Sequence, residues 1–374
     1  MASRVPKSAG TEGSTTFTPD SYFAAWSKEE ITPPYDNDFR KFILRTFGLS
    51  LRNEEYVYRA IAEVTLLQVQ TYLEFGAKGG LHSWYLDDEG KARENPSAAD
   101  VAAYTHVFRP TTSTAKALTT LSSNAKKGSL RAEIGSHLRE HYQPRSPSGT
   151  IDLGKNIGVQ IGRRKDFVNP YFDVWAWANQ KLEWGGPEAT THRIKISHAL
   201  LPVLYHHFGC VCPSYDALQI IRQLSNGRRV LDVGSGNGYW TYMLRRMEKF
   251  KKKEIEVLAI DNGISEWRTM WIGDTVEADA IKWLEKNGGG IDEALLMVYP
   301  QVGGEFTSKV IKAYKGSTIF AASTQNANGF TAFSDETIDK WMEREMPEWE
   351  KQLQIPLPSF AGKDEALFVF ERKS

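Results

Sequence analysis

Four short, nearly unbroken apolar runs mark the second half of the chain: Arg229 to Val233, Ile255 to Ile260, Ala294 to Val298 and Thr318 to Ala322. The first ends in a cluster of glycines and the second in Asp261, as strands running into turns do. Residues 239 to 250 and 275 to 287 carry helical patterns between them, so strand and helix alternate, as a parallel sheet covered by helices requires. After the fourth run, Ser334-Asp335-Glu336 offers a helix N-cap with acids in the first turn, Ile338, Trp341 and Met342 an inward face, and Pro347 an end. Two further extended pieces, Trp349 to Ile355 and Ala366 to Phe370, predict a terminal antiparallel pair on the same sheet.

Upstream the pattern changes. Val57, Ile61, Val64 and Leu67 recur at steps of three or four, which predicts one face of a helix within a helical segment from Tyr22 to about Phe75. Between Thr111 and Thr150 the chain turns rich in Ser, Thr and Ala, and Pro144, Pro147 and Gly149 interrupt any regular element, so a linker is expected near 143–150. Residues 1–20 offer Phe17 as almost their only large apolar group and read as a disordered tail. The expected organisation is a tail over 1–20, a mainly helical N-terminal region over 21–150 and an α/β domain over 151–374.

With 374 residues, 41% of them hydrophobic, the chain can bury one substantial core and a second, smaller one. Its 46 basic and 46 acidic side chains cancel, so a small molecule or a protein is favoured over nucleic acid as partner. No stretch reaches the ~20 consecutive apolar residues of a membrane-spanning helix, and the N-terminus lacks the apolar core of a secretory signal. A soluble, cytoplasmic protein with no membrane partner is expected. Cys210 and Cys212 are the only cysteines and lie too close together to staple a small secreted scaffold. With His206 and His207 they crowd one segment, yet neither adjacent histidines nor Cys-x-Cys matches zinc-ligand spacing, so no metal is expected.

The run Asp232-Val233-Gly234-Ser235-Gly236-Asn237-Gly238 joins the first strand to a helix beginning near Tyr239. Three alternating glycines leave no side chain in the way of a ligand, so the backbone itself becomes a binding surface. A dinucleotide-binding turn wants Gly-x-Gly-x-x-Gly, and Tyr239 stands where its last glycine belongs. The run instead resembles the first motif of class I S-adenosylmethionine-dependent methyltransferases, acid-x-Gly-x-Gly-x-Gly, and the resemblance extends over about residues 190–374, through the order of elements to the terminal hairpin. It implies an α/β, Rossmann-like, mostly parallel sheet with a terminal antiparallel hairpin, S-adenosylmethionine as cofactor, and methyl transfer to an oxygen or nitrogen nucleophile.

The resemblance further implies that Gly234, Ser235, Gly236, Asn237 and Gly238 wrap the methionine part of the cofactor and that Asp232 anchors its ammonium group. Asp261, about 20 residues after Gly238, lies close to the distance at which dinucleotide folds place a ribose-binding carboxylate, with Asn262 beside it. A carboxylate can accept both vicinal ribose hydroxyls. A ligand-free Asp261-Asn262-Gly263 turn is the alternative. In the loop after Gly273 an acid is implied for the adenine amino group, with Asp279 ahead of Asp274.

Ligand crevices of open parallel sheets lie at the carboxyl ends of strands, which points to Tyr299-Pro300-Gln301-Val302-Gly303. Tyr299 and Gln301 are candidates for lining the acceptor pocket, and Tyr299 for touching the reacting group. Superfamily members that methylate nucleobase amines carry Asp or Asn, two prolines and an aromatic there; Val298 and a single proline depart from that pattern. The resemblance also implies helices lidding the cofactor just before the first strand, where His206 or His207 would be available to take a proton. Placement and exclusion of water can supply most of the rate, so a dedicated base is not required. The basic clusters Arg163-Arg164-Lys165 and Arg245, Arg246, Lys249 and Lys251 to Lys253 read as solvated faces. The competing readings are a catalytically silent cofactor-binding module and, against Tyr239, a nicotinamide-dependent oxidoreductase.

Overall fold

A computed structural model describes residues 17–373 apart from 36, 50–55, 60–62, 112, 150, 152–156, 158–166, 248–254 and 264–268. The N-terminal part is built of α1 (Pro19–Ser27), α2 (Phe39–Thr46), a hairpin of β1 (Val57–Arg59) and β2 (Glu63–Thr65), α3 (Leu66–Phe75), α4 (Ala98–His106), α5 (Thr114–Ser123), α6 (Leu130–Glu140) and α7 (Pro170–Leu182). The second part follows with α8 (Leu200–His207), α9 (Tyr215–Leu224), β3 (Val230–Val233), α10 (Tyr239–Arg245), β4 (Val257–Asp261), β5 (Val276–Glu277) and α11 (Ala280–Lys286). It ends with β6 (Ala294–Val298), α12 (Phe306–Ala313), β7 (Thr318–Thr324), α13 (Ile338–Glu345), β8 (Trp349–Pro356) and β9 (Glu365–Arg372).

The seven strands β3 to β9 form one sheet in the order β5-β4-β3-β6-β7-β9-β8. Pairing is parallel from β5 across to β7, and β9 then runs antiparallel to both β7 and β8. The order reverses at β3, so a crevice opens between the carboxyl ends of β3 and β6. Alternate residues face opposite sides, as a period of two demands. Leu231, Val233, Leu295 and Ile319 pack with α11, α12 and α13 on one side; Val230, Leu296, Phe320 and Leu367 face the other, toward α7, α8 and α9. This is the mostly parallel α/β sheet with a terminal antiparallel hairpin that the apolar runs predict.

Several local expectations are corrected. Val57, Val64 and Leu67 do not share a helix face: the first two lie on β1 and β2, with Val57 paired to Thr65, and Leu67 is exposed on α3. Ile61 lies outside the described residues, and an antiparallel strand pair followed at once by a helix imitates helical spacing over so short a window. The expected tail ends before Pro19, where α1 begins, and Phe17 already packs edge-on against Trp271. Residues 1–16 lie outside the described residues. Within the Ser/Thr/Ala-rich segment, Ser113 and Ser129 cap α5 and α6, accepting from the amides of Lys116 and Ala132. The helix expected over 275–287 starts only at Ala280, because β5 takes Val276 and Glu277, and α13 starts at Ile338 rather than at Ser334.

No break in the core marks the expected linker near 143–150. Aromatics of α1, α2, α4 and α7 form one continuous core with the sheet face that carries Val230 and Leu367. Gln143 itself pairs by backbone with Gln354 of β8, so the connection rides on the sheet edge. The first basic cluster, Arg163-Arg164-Lys165, and Lys249 with Lys251 to Lys253 lie outside the described residues. Arg245 donates to the Val257 carbonyl and pairs with Asp274, while Arg246 lies over the Phe23 ring.

Candidate functional site

The glycine turn leaves β3 with Gly234, Gly236 and Gly238 all in the left-handed region, at φ of 70°, 60° and 79°. A side chain at any of them would be strained, and a Cβ at Gly238 would come within 2.5 Å of Ile272. The turn is pinned from β4: the Gly234 amide donates to the Ile260 carbonyl at 2.8 Å, and the Gly236 amide to Asp261 Oδ2 at 2.9 Å. Asp261 Oδ1 accepts the Gly263 amide at 2.9 Å. The turn alternative for Asp261 is therefore partly realised, since each oxygen holds one amide.

Asp232 is buried under this turn. Its Oδ2 accepts from the Thr241 hydroxyl at 2.6 Å, while Oδ1 has no partner. Burial pushes the carboxyl up to about 7; the Thr241 bond opposes this and the nearby Asp261 charge adds to it. Ser235 Oγ and Asn237 Nδ2 are likewise buried without partners. Three orphaned polar atoms on one seven-residue run are costly unless a polar ligand meets them. Tyr239 explains why the dinucleotide pattern stops there: its hydroxyl donates to Asn169 at 2.8 Å and accepts the Tyr171 amide at 3.1 Å, tying the turn to the start of α7.

Asp279 caps α11, accepting the Lys282 amide at 2.9 Å, and is exposed; Asp274 pairs with Arg245 at 2.8 Å, which holds its carboxyl below the usual range. Asn262 is exposed next to Asp261. Tyr299 follows β6 with φ of 52°, its amide donating to the Ala322 carbonyl, and its ring lies 5.8 Å from that of Tyr205. Gln301 is exposed on the loop beyond.

The expectation for His207 is corrected. It is fully buried, its Nε2 bonded to the Tyr58 hydroxyl at 2.9 Å and its Nδ1 to Thr269 at 2.8 Å, with the ring stacked on Phe47. Burial drives its pKa down, so it is a neutral packing residue with both nitrogens in use. His206 packs edge-on against Tyr58 in the same place. One helical step of about 100° separates neighbours, so on α8 it is Tyr205 that meets Tyr299. Sequence reasoning missed Tyr205, and also the buried polar triplet Lys363, Asp364 and Glu365 at the start of β9. Among the described residues no group of three or more His, Cys, Asp or Glu could hold a metal ion, and no helix is long and apolar enough to cross a membrane.

No protein-family model matches the chain, and no curated protein matches its sequence. Solved structures give distant similarities. A Streptococcus mutans chain assigned as a SAM-dependent methyltransferase is 9% identical, over 41% of this chain and 48% of its own, with a TM-score of 0.26. The magnesium protoporphyrin IX methyltransferase of Synechocystis PCC 6803, with bound SAM, is 12% identical over 42% and 79%, at 0.27. The trans-methyltransferase CalH in complex with SAH is 13% identical over 74% and 90%, at 0.31. The chain thus spans about half the length of the first of these. The methyltransferase-like fold rests on its own strand order and reversed terminal hairpin.

Proposed function

We propose that the chain is an S-adenosylmethionine-dependent methyltransferase that transfers a methyl group to an oxygen or nitrogen nucleophile in a closed cleft. The observation that carries this reading is the set of buried, unpartnered atoms Asp232 Oδ1, Ser235 Oγ and Asn237 Nδ2 on a turn of three left-handed glycines. Their chemistry fits an amino-carboxylate: Asp232 would hold the cofactor ammonium, and Ser235 and Asn237 its carboxylate. Asp261, at the carboxyl end of β4 beside the glycine turn, would take the ribose hydroxyls, with Asn262 next to it. The adenine contact is assigned to Asp279, whose capping bond occupies one of its two carboxylate oxygens.

Bound there, the cofactor supplies a methyl group activated by an adjacent sulfonium. The chain's part is placement. Tyr299 and Tyr205 form an aromatic wall at the carboxyl end of β6 that keeps water out and orients an acceptor, with Gln301 at its rim. The reading sets this chemistry in the cytoplasm, with a small molecule or protein as acceptor. Calorimetry with S-adenosylmethionine and with its demethylated product tests it; heat corresponding to a ~10 μM site is expected, and none from either ligand at ~100 μM against folded protein would refute it. Transfer of labelled methyl to any component of a fractionated extract then separates an enzyme from a silent binding module.

A further inference from the structure

The connection from β8 to β9 is inserted deep into the helical layer. The Ser359 carbonyl accepts from Trp175 Nε1 and Trp184 Nε1, both at 3.1 Å, and from the Tyr104 hydroxyl at 3.4 Å. Of the three charged residues that follow, Asp364 is fully used: it accepts from Gln325 at 2.7 Å and from Asn326 at 3.4 Å, and bonds His137 Nε2 at 2.9 Å. Lys363 and Glu365 flank it and differ from it completely. Both are 0% exposed, yet Lys363 Nζ and both carboxylate oxygens of Glu365 have no hydrogen-bond partner. The nearby Ser359 hydroxyl is committed to the Glu365 amide and the Leu357 carbonyl. The Lys363 ammonium lies over the Phe330 ring.

Lys363 and Glu365 are also too far apart to pair, since they make no contact within the 4.0 Å of an ion pair. Their mutual influence still reaches across the gap, and Glu365 bears as well on the Tyr205 and Tyr299 phenols. Burial drives the Glu365 carboxyl up and the Lys363 amine down, each partly restrained by the other. An acid and a base, both buried and both unmet, therefore lie close to the Tyr205–Tyr299 wall: Glu365 pairs with Thr324 of β7, two residues beyond Ala322, whose carbonyl accepts the Tyr299 amide. A lone anion would satisfy Lys363 and aggravate Glu365; a lone cation would do the reverse; an uncharged molecule would relieve neither charge. A ligand carrying both signs meets both groups at once.

We propose that Lys363 and Glu365 form the acceptor subsite and take a small free amino acid, its carboxylate on Lys363 and its amino group on Glu365. Naming it an acceptor subsite rests on the methyltransferase reading; the binding of a zwitterion does not. Glu365, the first residue of β9, alternates with Leu367 and Val369 and so shares their sheet face, and both charged groups are fully buried, which suits a small molecule rather than a polymer.

Saturation-transfer NMR with an equimolar mixture of free α-, β- and γ-amino acids, without cofactor, tests the proposal on the full chain. At least one amino acid should receive saturation from the wild type. Lys363→Met and Glu365→Gln should each weaken that amino acid about tenfold or more, the loss expected for a charge-assisted contact. Should either single variant fail to fold, the uncharged pair Lys363→Met with Glu365→Gln serves in its place. Asp232→Asn, which impairs the cofactor turn, should leave the signal intact, so failure of the cofactor reading and failure of this one are distinguishable. No binding by any amino acid, or binding unaffected by these variants, overturns the proposal. So does displacement of the amino acid by S-adenosylhomocysteine, which would assign the pair to the methionine end of the cofactor.

Discussion

Asp261 at the end of β4 holds the middle glycine of the turn after β3, accepting the Gly236 amide at 2.9 Å. The same carboxylate braces Gly263. A residue expected to serve a ribose thus also builds the loop that would hold the rest of the ligand. Asp261→Ala should weaken S-adenosylmethionine binding by about 10- to 150-fold, and should also cost about 1–3 kcal/mol of stability because two amides lose their acceptor. Asp261→Asn keeps one acceptor oxygen and should fall between. Calorimetry and urea unfolding on the three proteins check this; full cofactor affinity in Asp261→Ala would remove the carboxylate from the site.

His137 and Asp364 link α6 to the β8–β9 connection at 2.9 Å. Burial works against the charged imidazole, but the Asp364 charge and bond outweigh it, so the His137 pKa is raised. The native state then binds this proton more tightly than the unfolded chain. Its contribution is complete below the ordinary histidine value of about 6.5 and is lost as pH rises through the raised native value. The urea midpoint should fall across that window in the wild type and fall less in His137→Gln. An identical pH profile in both proteins would contradict the assignment.

How far the sequence carried depends on whether a signal was local. The strands β3, β4, β6 and β7 were legible because sheets covered on both faces write themselves as continuous apolar runs. The glycine turn was legible because its backbone needs glycine at each left-handed position. Lys363 and Glu365 were not legible, since three charged residues after a glycine look like a solvated turn, and only the packing of Trp175, Trp184 and Tyr104 on Ser359 drags them inside. His207 misled for the converse reason. A polar residue near a motif invites a catalytic role, whereas its partners Tyr58 and Thr269 come from distant segments.

Chelation should change neither the thermal melt nor cofactor binding. Cys212 is buried, with its thiol pushed up by burial, and His207 has no free nitrogen for a metal. Elemental analysis showing about one equivalent of zinc, with unfolding on its removal, would overturn this expectation.

The orphaned oxygen of Asp232 gives the cofactor reading a pH signature of fixed sign. In the folded chain the carboxyl sits at about 7, against an ordinary aspartate value of about 3.9 when unfolded, so the unliganded protein favours the protonated form. Stability without ligand should therefore decline as pH rises from about 4 to about 7, by on the order of 4 kcal/mol if no other group compensates. An ammonium group placed against Oδ1 reverses the preference, because it stabilises the ionised carboxylate. Below pH 7 the binding must first remove a proton, and affinity should drop about tenfold for each further unit; above pH 7 it should level off. Calorimetry in two buffers of different ionisation enthalpy at neutral pH should register proton release of up to one per site. Asp232→Asn should bind more weakly and show neither the slope nor the release. An affinity for S-adenosylmethionine that is flat from pH 5.5 to 8 (about one and a half decades of expected change) would separate Asp232 from the ammonium group, whatever the cofactor turn then holds.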